Sequence, residues 1–310
     1  MEQVDFFVNT GESFSDILFK KTPDQISIEV SEMNLTEHLS FTSETFNKLG
    51  IDLKGDGMEI AAGAGVFASS ITRLYPNVTK MYALEIVPSM VTKLQPKIID
   101  HTNMTGRVIP MIGDFNDIKL PNASLDFVVG FNALHHSNTL HKTLSEIGRV
   151  LKPGGKLIFF DRAHPNFMSL AQENFLLERE YWPAYKIDRG LDLNKSYKRT
   201  DNGEHEPRFR DWNKAFEKTG MKIELIAVFA QRTFKRFIKV LFSLVPFIIR
   251  KKVGKFECII EHPKLLLFYI FPWLAQFGKL KYYTLHINFT TGASKVAMKK
   301  MIFIASKKKS

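Results

Sequence analysis

Three acidic residues and two glycines are spaced along this sequence in a pattern that could bind a nucleotide-like ligand. Glu59 lies in an apolar, strand-like stretch, Glu85 ends the next such stretch, and Asp114 follows a third. Gly63 and Gly65 come soon after Glu59, in a turn of residues with little or no side chain. Such a turn lets a ligand approach the backbone, and it directs the first unpaired N–H groups of the following helix at that ligand. Taken alone, the pattern predicts a nucleotide-type site of unspecified ligand.

The elements that must position these residues alternate between strand and helix. Apolar stretches predict the strands, and apolar residues at helical spacing predict the helices between them. The fourth strand is almost wholly apolar, as expected of a strand covered on both faces. This alternation is typical of the α/β class, in which a mostly parallel sheet carries helices on both faces. The predicted strands are 58–62, 79–84, 108–112, 125–131, 156–161, 221–229 and 301–305, and the clearest predicted helices are 65–75 and 209–219.

The domain organisation follows from where this alternation begins and loosens. Residues 1–50 have weak helical patterning and are predicted to be a helical cover, and residues 51–230 form the α/β core. Residues 231–297 are a basic, aromatic-rich insertion before the last strand, which lies in residues 298–310 with a lysine-rich tail.

Cysteine content and charge restrict the class of protein further. The single cysteine, Cys258, excludes an internal disulfide and a cysteine-rich zinc site, fits a reducing compartment, and leaves no metal site predicted. No secretory signal is predicted at the start of the chain, which favours a cytoplasmic protein. The net charge of +11 is unevenly distributed, because residues 231–310 carry 17 Lys or Arg against 2 acids. This asymmetry suggests an anionic partner for the last quarter.

Two ligand classes compete for the glycine turn. Residues 63–68 satisfy the G-x-G-x-x-G/A dinucleotide pattern, and Glu85 follows at about the spacing of a ribose-binding acid. An NAD-dependent oxidoreductase is therefore one interpretation. S-adenosylmethionine sites use a similar turn and the same acid, and Glu59 favours them because it can reach the amino end of a bound methionine moiety. Asp114 and Phe115 could in turn offer an acceptor and an apolar face to adenine.

Two further stretches complete the pattern. Phe-Asn-Ala-Leu-His-His follows the fourth strand at 131–136, and Leu-Ser-Glu-Ile-Gly-Arg-Val-Leu-Lys-Pro-Gly-Gly-Lys-Leu-Ile-Phe-Phe-Asp spans 144–161. With these, residues 59–161 resemble the class I S-adenosylmethionine-dependent methyltransferases, and most closely their small-molecule and lipid group. The resemblance implies a Rossmann-like, seven-stranded, mostly parallel sheet with one antiparallel strand near its end. It also implies S-adenosyl-L-methionine as the cofactor.

The resemblance assigns roles to individual residues. The acids would hold the methionine amino group, the ribose hydroxyls and the adenine amino group, while the turn lines the methionine and ribose. One position departs from the family, which usually has glycine where this chain has Ala61. The implied cofactor-binding residues are Glu59, Ala61, Gly63, Gly65, Glu85, Ile86, Asp114, Phe115 and Asn132, the last of them near the sulfonium.

Methyl transfer from a sulfonium is an in-line displacement, so a base is needed only if the acceptor must lose a proton. His164 is the first candidate for that base, because it follows the fifth strand at the edge where α/β sheets bind ligands. Asp161 is expected to orient His164, and His136 is the second candidate. The alternative is that these histidines only shape loops.

The basic insertion contains two apolar runs, at 240–249 and 265–277, flanked by Lys and Arg. Each is shorter than the roughly 20 residues that a spanning helix needs. Contact with one leaflet of an anionic membrane is one interpretation, which would make the protein peripheral on the inner face of a membrane. A soluble substrate lid is another, and nucleic acid is the least favoured partner.

Together, these features predict a methyltransferase acting on a small, lipophilic or membrane-associated acceptor. A non-catalytic methyltransferase-like binding module is the alternative, suggested by Ala61 and by the size of the insertion. The sequence predicts neither the acceptor atom nor the oligomeric state.

Overall fold

The fold is taken from a computed structural model of the chain. It describes residues 24–229, apart from 165, 167, 184–185, 187–190 and 202, together with 281–285 and 300–308. The two apolar runs of the basic insertion lie outside these described residues.

Strands and helices alternate along the first half of the described chain, as the apolar pattern predicts. A π-helix at Met90–Leu94 precedes the third helix, and a 3₁₀ turn at Leu134–His136 follows the fourth strand. The helices are α1 Asp24–Leu49, α2 Val66–Leu74, α3 Gln95–His101, α4 Leu140–Val150, α5 Leu170–Leu177 and α6 Phe209–Glu217. The strands are β1 Gly55–Ile60, β2 Val78–Glu85, β3 Val108–Ile112, β4 Leu125–Phe131, β5 Leu151–Arg162, β6 Met221–Phe229, β7 Lys281–Leu285 and β8 Lys300–Lys307.

The described strands form one sheet in the order β3-β2-β1-β4-β5-β8-β6-β7. Strands β1 to β5 pair in parallel with their neighbours, whereas β8 is antiparallel to both β5 and β6. The strand β6 therefore runs in the same direction as β5. The carboxyl ends of β1 to β6 consequently meet at one edge of the sheet, where open α/β sheets bind ligands.

All seven predicted strands are present, and the mostly parallel, Rossmann-like α/β class is confirmed. One strand was not predicted. Residues Lys281–Leu285, inside the predicted insertion, form β7 and pair in parallel with β6 at the end of the sheet. The last predicted strand lies inside the sheet as β8, between β5 and β6.

Neighbouring phenylalanines of β5 show how the two faces of the sheet are covered. Phe159 packs with Trp212 and Phe303 in the layer that carries α4 and α6. Phe160 points to the opposite face, where it packs with Phe41 and Phe46 of α1. The helices α2 and α3 contribute to that second layer. Because successive side chains of a strand point to opposite faces, β5 contributes to two separate hydrophobic cores, one on each side of the sheet.

Candidate cofactor and acceptor site

The turn between β1 and α2 is built from three residues in the left-handed region. Ala61, Gly63 and Gly65 have φ angles of 49°, 53° and 79°. The N–H of Gly65 donates to the carbonyl of Ala62 at 2.8 Å, and α2 begins at the next residue. Glycine adopts a left-handed conformation far more readily than other residues. The φ angle of Ala61 therefore explains why glycine would be preferred at this position. The turn lies at the ligand edge of the sheet, directly after β1.

Glu59 is a buried carboxylate beneath this turn. Its side chain is 3% exposed, and its Oε2 accepts the N–H of Ala68, in α2, at 2.7 Å. Burial raises the pKa of Glu59 well above its usual range; the N–H of Ala68 offsets part of this effect, and the nearby carboxylate of Glu85 adds to it. A buried acid without a cation is unfavourable. An ammonium group delivered by a ligand would supply the missing charge.

Glu85 binds the backbone of the same turn. One carboxylate oxygen accepts the N–H of Gly63 at 2.8 Å, and the other accepts those of Ile86 and Val87 at 2.9 and 3.1 Å. A carboxylate has about four acceptor positions, so binding these three N–H groups is compatible with accepting a ribose hydroxyl as well. The sequence predicts only the ribose contact. The structure adds a second task, because Glu85 holds the glycine turn to the end of β2.

The predicted adenine residues lie at the end of β3. The Oδ1 of Asp114 accepts the backbone N–H and the side-chain N–H of Asn116, at 2.7 and 2.9 Å. Phe115 is partly buried against the core, and Ile86 packs against Val87 and its neighbours. Asp114 and Ile86 follow adjacent strands, β3 and β2, which pair in parallel. This arrangement could hold a planar ring between apolar side chains and one acceptor.

A cavity of about 280 Å³ opens above the turn, lined by Glu59, the residues of the turn and an aromatic wall. The wall is formed by Phe67, Phe131 and His38, the last of them on α1. Asn132, directly after β4, has a φ angle of 59° and a buried Oδ1 without a hydrogen-bond partner in the described residues. The cavity fits the methionine end of S-adenosylmethionine, with Glu59 for the ammonium group, and the orphaned Oδ1 belongs to the residue that the sequence predicts near the sulfonium.

The pairing predicted between Asp161 and His164 is wrong. His164 Nε2 is bonded to Glu206, a carboxylate that also binds Arg162 and Arg199. Backbone hydrogen bonds join His164 to Pro207 and Phe209, and this pairing places Glu206 beside His164. No sequence spacing indicated that contact, which joins residues 42 apart.

Asp161 instead binds His135, which the sequence analysis did not select. Both side chains are buried, Asp161 near the end of β5 and His135 in the 3₁₀ turn, and Asp161 Oδ1 lies 2.8 Å from His135 Nδ1. The ring of His136 packs against that of His135 at a tilt of 39°, with centroids 4.2 Å apart. The only signal available in the sequence was the His-His pair itself, which does not say which ring faces inwards.

A second cavity, of about 360 Å³, lies between the amino end of α4 and α6. His135 is part of its lining, together with Asn138, His205, Glu206 and Lys214. One cavity thus lies beside the glycine turn, and the other lies beside the His135–Asp161 pair. Within the described residues, no group of three or more His, Cys, Asp or Glu side chains could hold a metal ion.

Comparison with known proteins identifies the domain. Residues 58–159 match the family described as a methyltransferase domain. A demethylmenaquinone methyltransferase of Bacillus cereus is 20% identical over 210 residues, which cover 66% of this chain and 86% of the relative.

Solved structures share the fold. A protein of Galdieria sulphuraria described as a sarcosine dimethylglycine methyltransferase superposes with a TM-score of 0.51 at 15% identity, covering 87% of this chain and 85% of the other. The geranyl diphosphate C-methyltransferase of Streptomyces coelicolor gives 0.50 at 9% identity, over 86% and 79% of the two chains. At such identities the likeness concerns the fold.

The domain match, the sheet order and the glycine turn with its acids together define a class I methyltransferase domain, dependent on S-adenosylmethionine. The predicted membership of this class and the predicted cofactor, S-adenosylmethionine, are confirmed.

Proposed function

We propose that this chain transfers the methyl group of S-adenosylmethionine to a small acceptor that is lipophilic or membrane-associated. The observation that supports cofactor binding most directly is Glu59. It is a buried acid whose pKa is raised by burial, and it lines a cavity formed by left-handed backbone, where the methionine ammonium would supply a neighbouring positive charge. Bound there, S-adenosylmethionine would supply an already activated methyl group.

Three acidic residues of the chain would position the cofactor. Glu59 would bind the ammonium group, Glu85 the ribose and Asp114 the adenine, so that the donor is held at three points along the ends of β1, β2 and β3. Positioning of this kind accounts for much of the rate of a displacement between two bound molecules. The aromatic wall would exclude water from the methionine end.

The lipophilic acceptor is supported by the sequence of the basic insertion and by where it joins the fold. Because β6 runs parallel to β5, its last residue, Phe229, lies at the same edge of the sheet as Asn132 and Asp161. Two of the similar proteins are named for lipophilic molecules, demethylmenaquinone and geranyl diphosphate. A third is named for a small polar amine, so fold alone does not select the acceptor.

Membrane contact is proposed through residues 231–297, with a soluble lid as the alternative. The described part of the chain contains no helix long and apolar enough to cross a bilayer. Apolar runs with cationic flanks are suited to the surface of an anionic membrane.

The test is transfer of labelled methyl from S-adenosylmethionine into lipid, small-metabolite, protein and nucleic-acid fractions of a cell extract. We expect label in the lipid or small-metabolite fraction. Label in protein or nucleic acid would contradict the proposed acceptor class. Binding of S-adenosylmethionine without transfer to any fraction would favour the non-catalytic module, and calorimetric binding of NAD instead would favour the oxidoreductase.

A further inference from the structure

The buried pair His135–Asp161 has a fixed arrangement of protons. Asp161 accepts three hydrogen bonds, from the ring Nδ1 of His135 at 2.8 Å, from its backbone N–H at 3.2 Å and from the N–H of Arg162 at 2.8 Å. Because a carboxylate can only accept, Nδ1 carries the proton. The other ring nitrogen, Nε2, is then left with a lone pair.

That Nε2 is unused by the folded chain. It is buried, and it has no hydrogen-bond partner among the described residues, although the side chain of His135 is only 1% exposed. Leaving a buried acceptor unsatisfied is unfavourable. Since His135 lines the cavity of about 360 Å³, a ligand carrying an O–H group could satisfy Nε2 from that cavity.

The neighbouring imidazoles are already engaged. His164 Nε2 is bonded to Glu206, and His205 Nε2 lies 2.9 Å from Asn138 Oδ1. His136 packs against His135 and also has a polar or ring partner. Among the charged groups near His135 is Glu204: burial opposes its charged form, but the hydrogen bond from Tyr181 and the charge of Arg199 hold the pKa of Glu204 below its usual range.

The pair lies close to the predicted position of the sulfonium. Phe131 and Phe160 are register partners, so Asn132 and Asp161 follow them at neighbouring strand ends. His135 is three residues beyond Asn132, and three residues span at most about 11 Å. His135 and the predicted sulfonium position beside Asn132 are therefore on adjacent segments at one edge of the sheet.

We propose that His135 is the catalytic base, that Asp161 is its positioning residue, and that the cavity between α4 and α6 receives an acceptor with a phenol-type hydroxyl. This rests on the proposed methyl transfer. It replaces His164 and His136 as the candidate bases.

The step balances without any further reactant. As the acceptor oxygen attacks the methyl carbon, its proton passes to His135 Nε2 and the carbon–sulfur bond breaks. The bonding pair stays on sulfur, so the sulfonium becomes the neutral thioether of S-adenosylhomocysteine. Asp161 stabilises the imidazolium, which then releases its proton to water. The products are a methyl ether, the thioether and one proton.

The first experiment determines which ring nitrogen of His135 carries a proton, and it does not depend on enzymatic activity. Spectra of the full chain labelled with ¹⁵N-histidine should show His135 with a protonated Nδ1 and an unprotonated Nε2, assigned by comparison with His135→Gln. Asp161→Asn should change this tautomer, and phenol added as a probe should shift the Nε2 resonance. His101→Gln, on α3 and outside both cavities, should leave these signals unchanged. A protonated Nε2 in the wild type, or no response to phenol, would overturn the proposal.

The second experiment uses the acceptor fraction identified by methyl labelling. His135→Gln and Asp161→Asn should lower kcat by about 10²–10⁴-fold, the usual contribution of a base, while KM and the affinity for S-adenosylmethionine stay within about threefold. Should the wild type transfer no methyl at all, the proposed function fails. Should the wild type be active and His135→Gln equally fast, only the assignment of the base fails.

Discussion

Glu59 combines two requirements that oppose each other. The carboxylate must be charged to bind an ammonium group, yet it is buried where burial raises its pKa. The folded pKa lies above that of the unfolded chain, which is about 4.3 for Glu. Folding therefore takes up a proton between these two values, and the stability that the protonated form provides is lost as the pH rises through this window. At neutral pH the ligand-free protein is therefore less stable than it would be with an uncharged side chain at position 59.

Glu59→Gln should stabilise the free protein and weaken the binding of S-adenosylmethionine. The amide oxygen can still accept the N–H of Ala68, so the local hydrogen bond is kept. The gain in Tm over the wild type should be near zero at pH 4 and should grow with pH, at roughly 2–4 °C for each kcal/mol. Affinity should fall about 10–100-fold, since a hydrogen bond to a charged group contributes about 1.5–3 kcal/mol.

Thermal melts across pH and titration calorimetry measure both effects. A Tm difference that does not vary with pH would contradict the assigned cause. Unchanged affinity would contradict the proposed role of Glu59.

Ala61→Gly should stabilise the protein by about 0.5–1 kcal/mol, because the roughly 1–2 kcal/mol cost of a left-handed alanine outweighs the added freedom of glycine in the unfolded chain. Gly63→Ala is the matched control, since a methyl group there meets no atom within 4 Å and its φ is +53°. It should destabilise by about 1–2 kcal/mol through backbone strain alone. Urea unfolding distinguishes the two. Destabilisation by both variants would show that Ala61 is held by side-chain packing.

At the residue scale the sequence predicted the acids and the turn but not how their side chains pair. Glu85 binds the turn, and Asp161 binds His135 in place of His164. Both pairings depend on how segments far apart in sequence pack together. Spacing along one strand or turn carries no information about them.

Among the elements, α1 covers the cavity beside the glycine turn. Phe46 is fully buried and stacks on Phe160 with ring centroids 5.9 Å apart, and His38 reaches the rim of the cavity. The helix is anchored by aromatic packing on the sheet, and it also packs on α2. The weak helical patterning of residues 1–50 could not show which face would be buried.

Phe46→Ala should destabilise the protein by about 3–5 kcal/mol, the usual cost of removing a buried Phe. Amide exchange should become faster along Asp24–Leu49, because the helix loses its main anchor. Phe175→Ala on α5 is the matched control, as Phe175 is 75% exposed and its loss should change stability by no more than about 0.5 kcal/mol. Denaturant unfolding and hydrogen exchange test both variants. A loss below about 1 kcal/mol for Phe46→Ala would show that α1 is held by other contacts.

The strands of the core could be predicted because each combines an apolar run with a defined end. β7 was missed although its Tyr-Tyr-Thr sequence favours a strand, because it lies inside a basic segment whose apolar runs suggested a membrane contact. β5 begins at Leu151, earlier than predicted, and passes through Gly154 at a φ of 80° with an irregular register. The Pro-Gly-Gly sequence indicated a turn where the structure has a distorted strand.

At the scale of the whole molecule, the uneven distribution of charge predicts that the basic insertion binds anionic membranes. Arg250→Glu with Lys251→Glu and Lys252→Glu should reduce recovery with anionic phosphatidylserine vesicles at least tenfold, since each basic residue near such a surface contributes about 1 kcal/mol. Binding to neutral phosphatidylcholine vesicles should not change.

A charge-matched control is the triple change Lys80→Glu, Lys119→Glu and Lys222→Glu, at exposed positions of the core. It should leave flotation with anionic vesicles unchanged. Equal loss in both triple variants would mean that net charge, and not the basic segment, directs the protein to the membrane.

The placement of β8 has a kinetic consequence. This strand lies between β5 and β6, and it pairs Lys300 with Arg162 and Met301 with Val228. Until it arrives, β5 and β6 each present an open edge, and their mutual alignment is undefined. Contacts so distant in sequence are slow to form, because closing the intervening chain costs entropy first. Refolding should therefore pass through a state in which β1 to β5 are assembled and the strands beyond β5 are not yet paired. Aggregation would begin from that state.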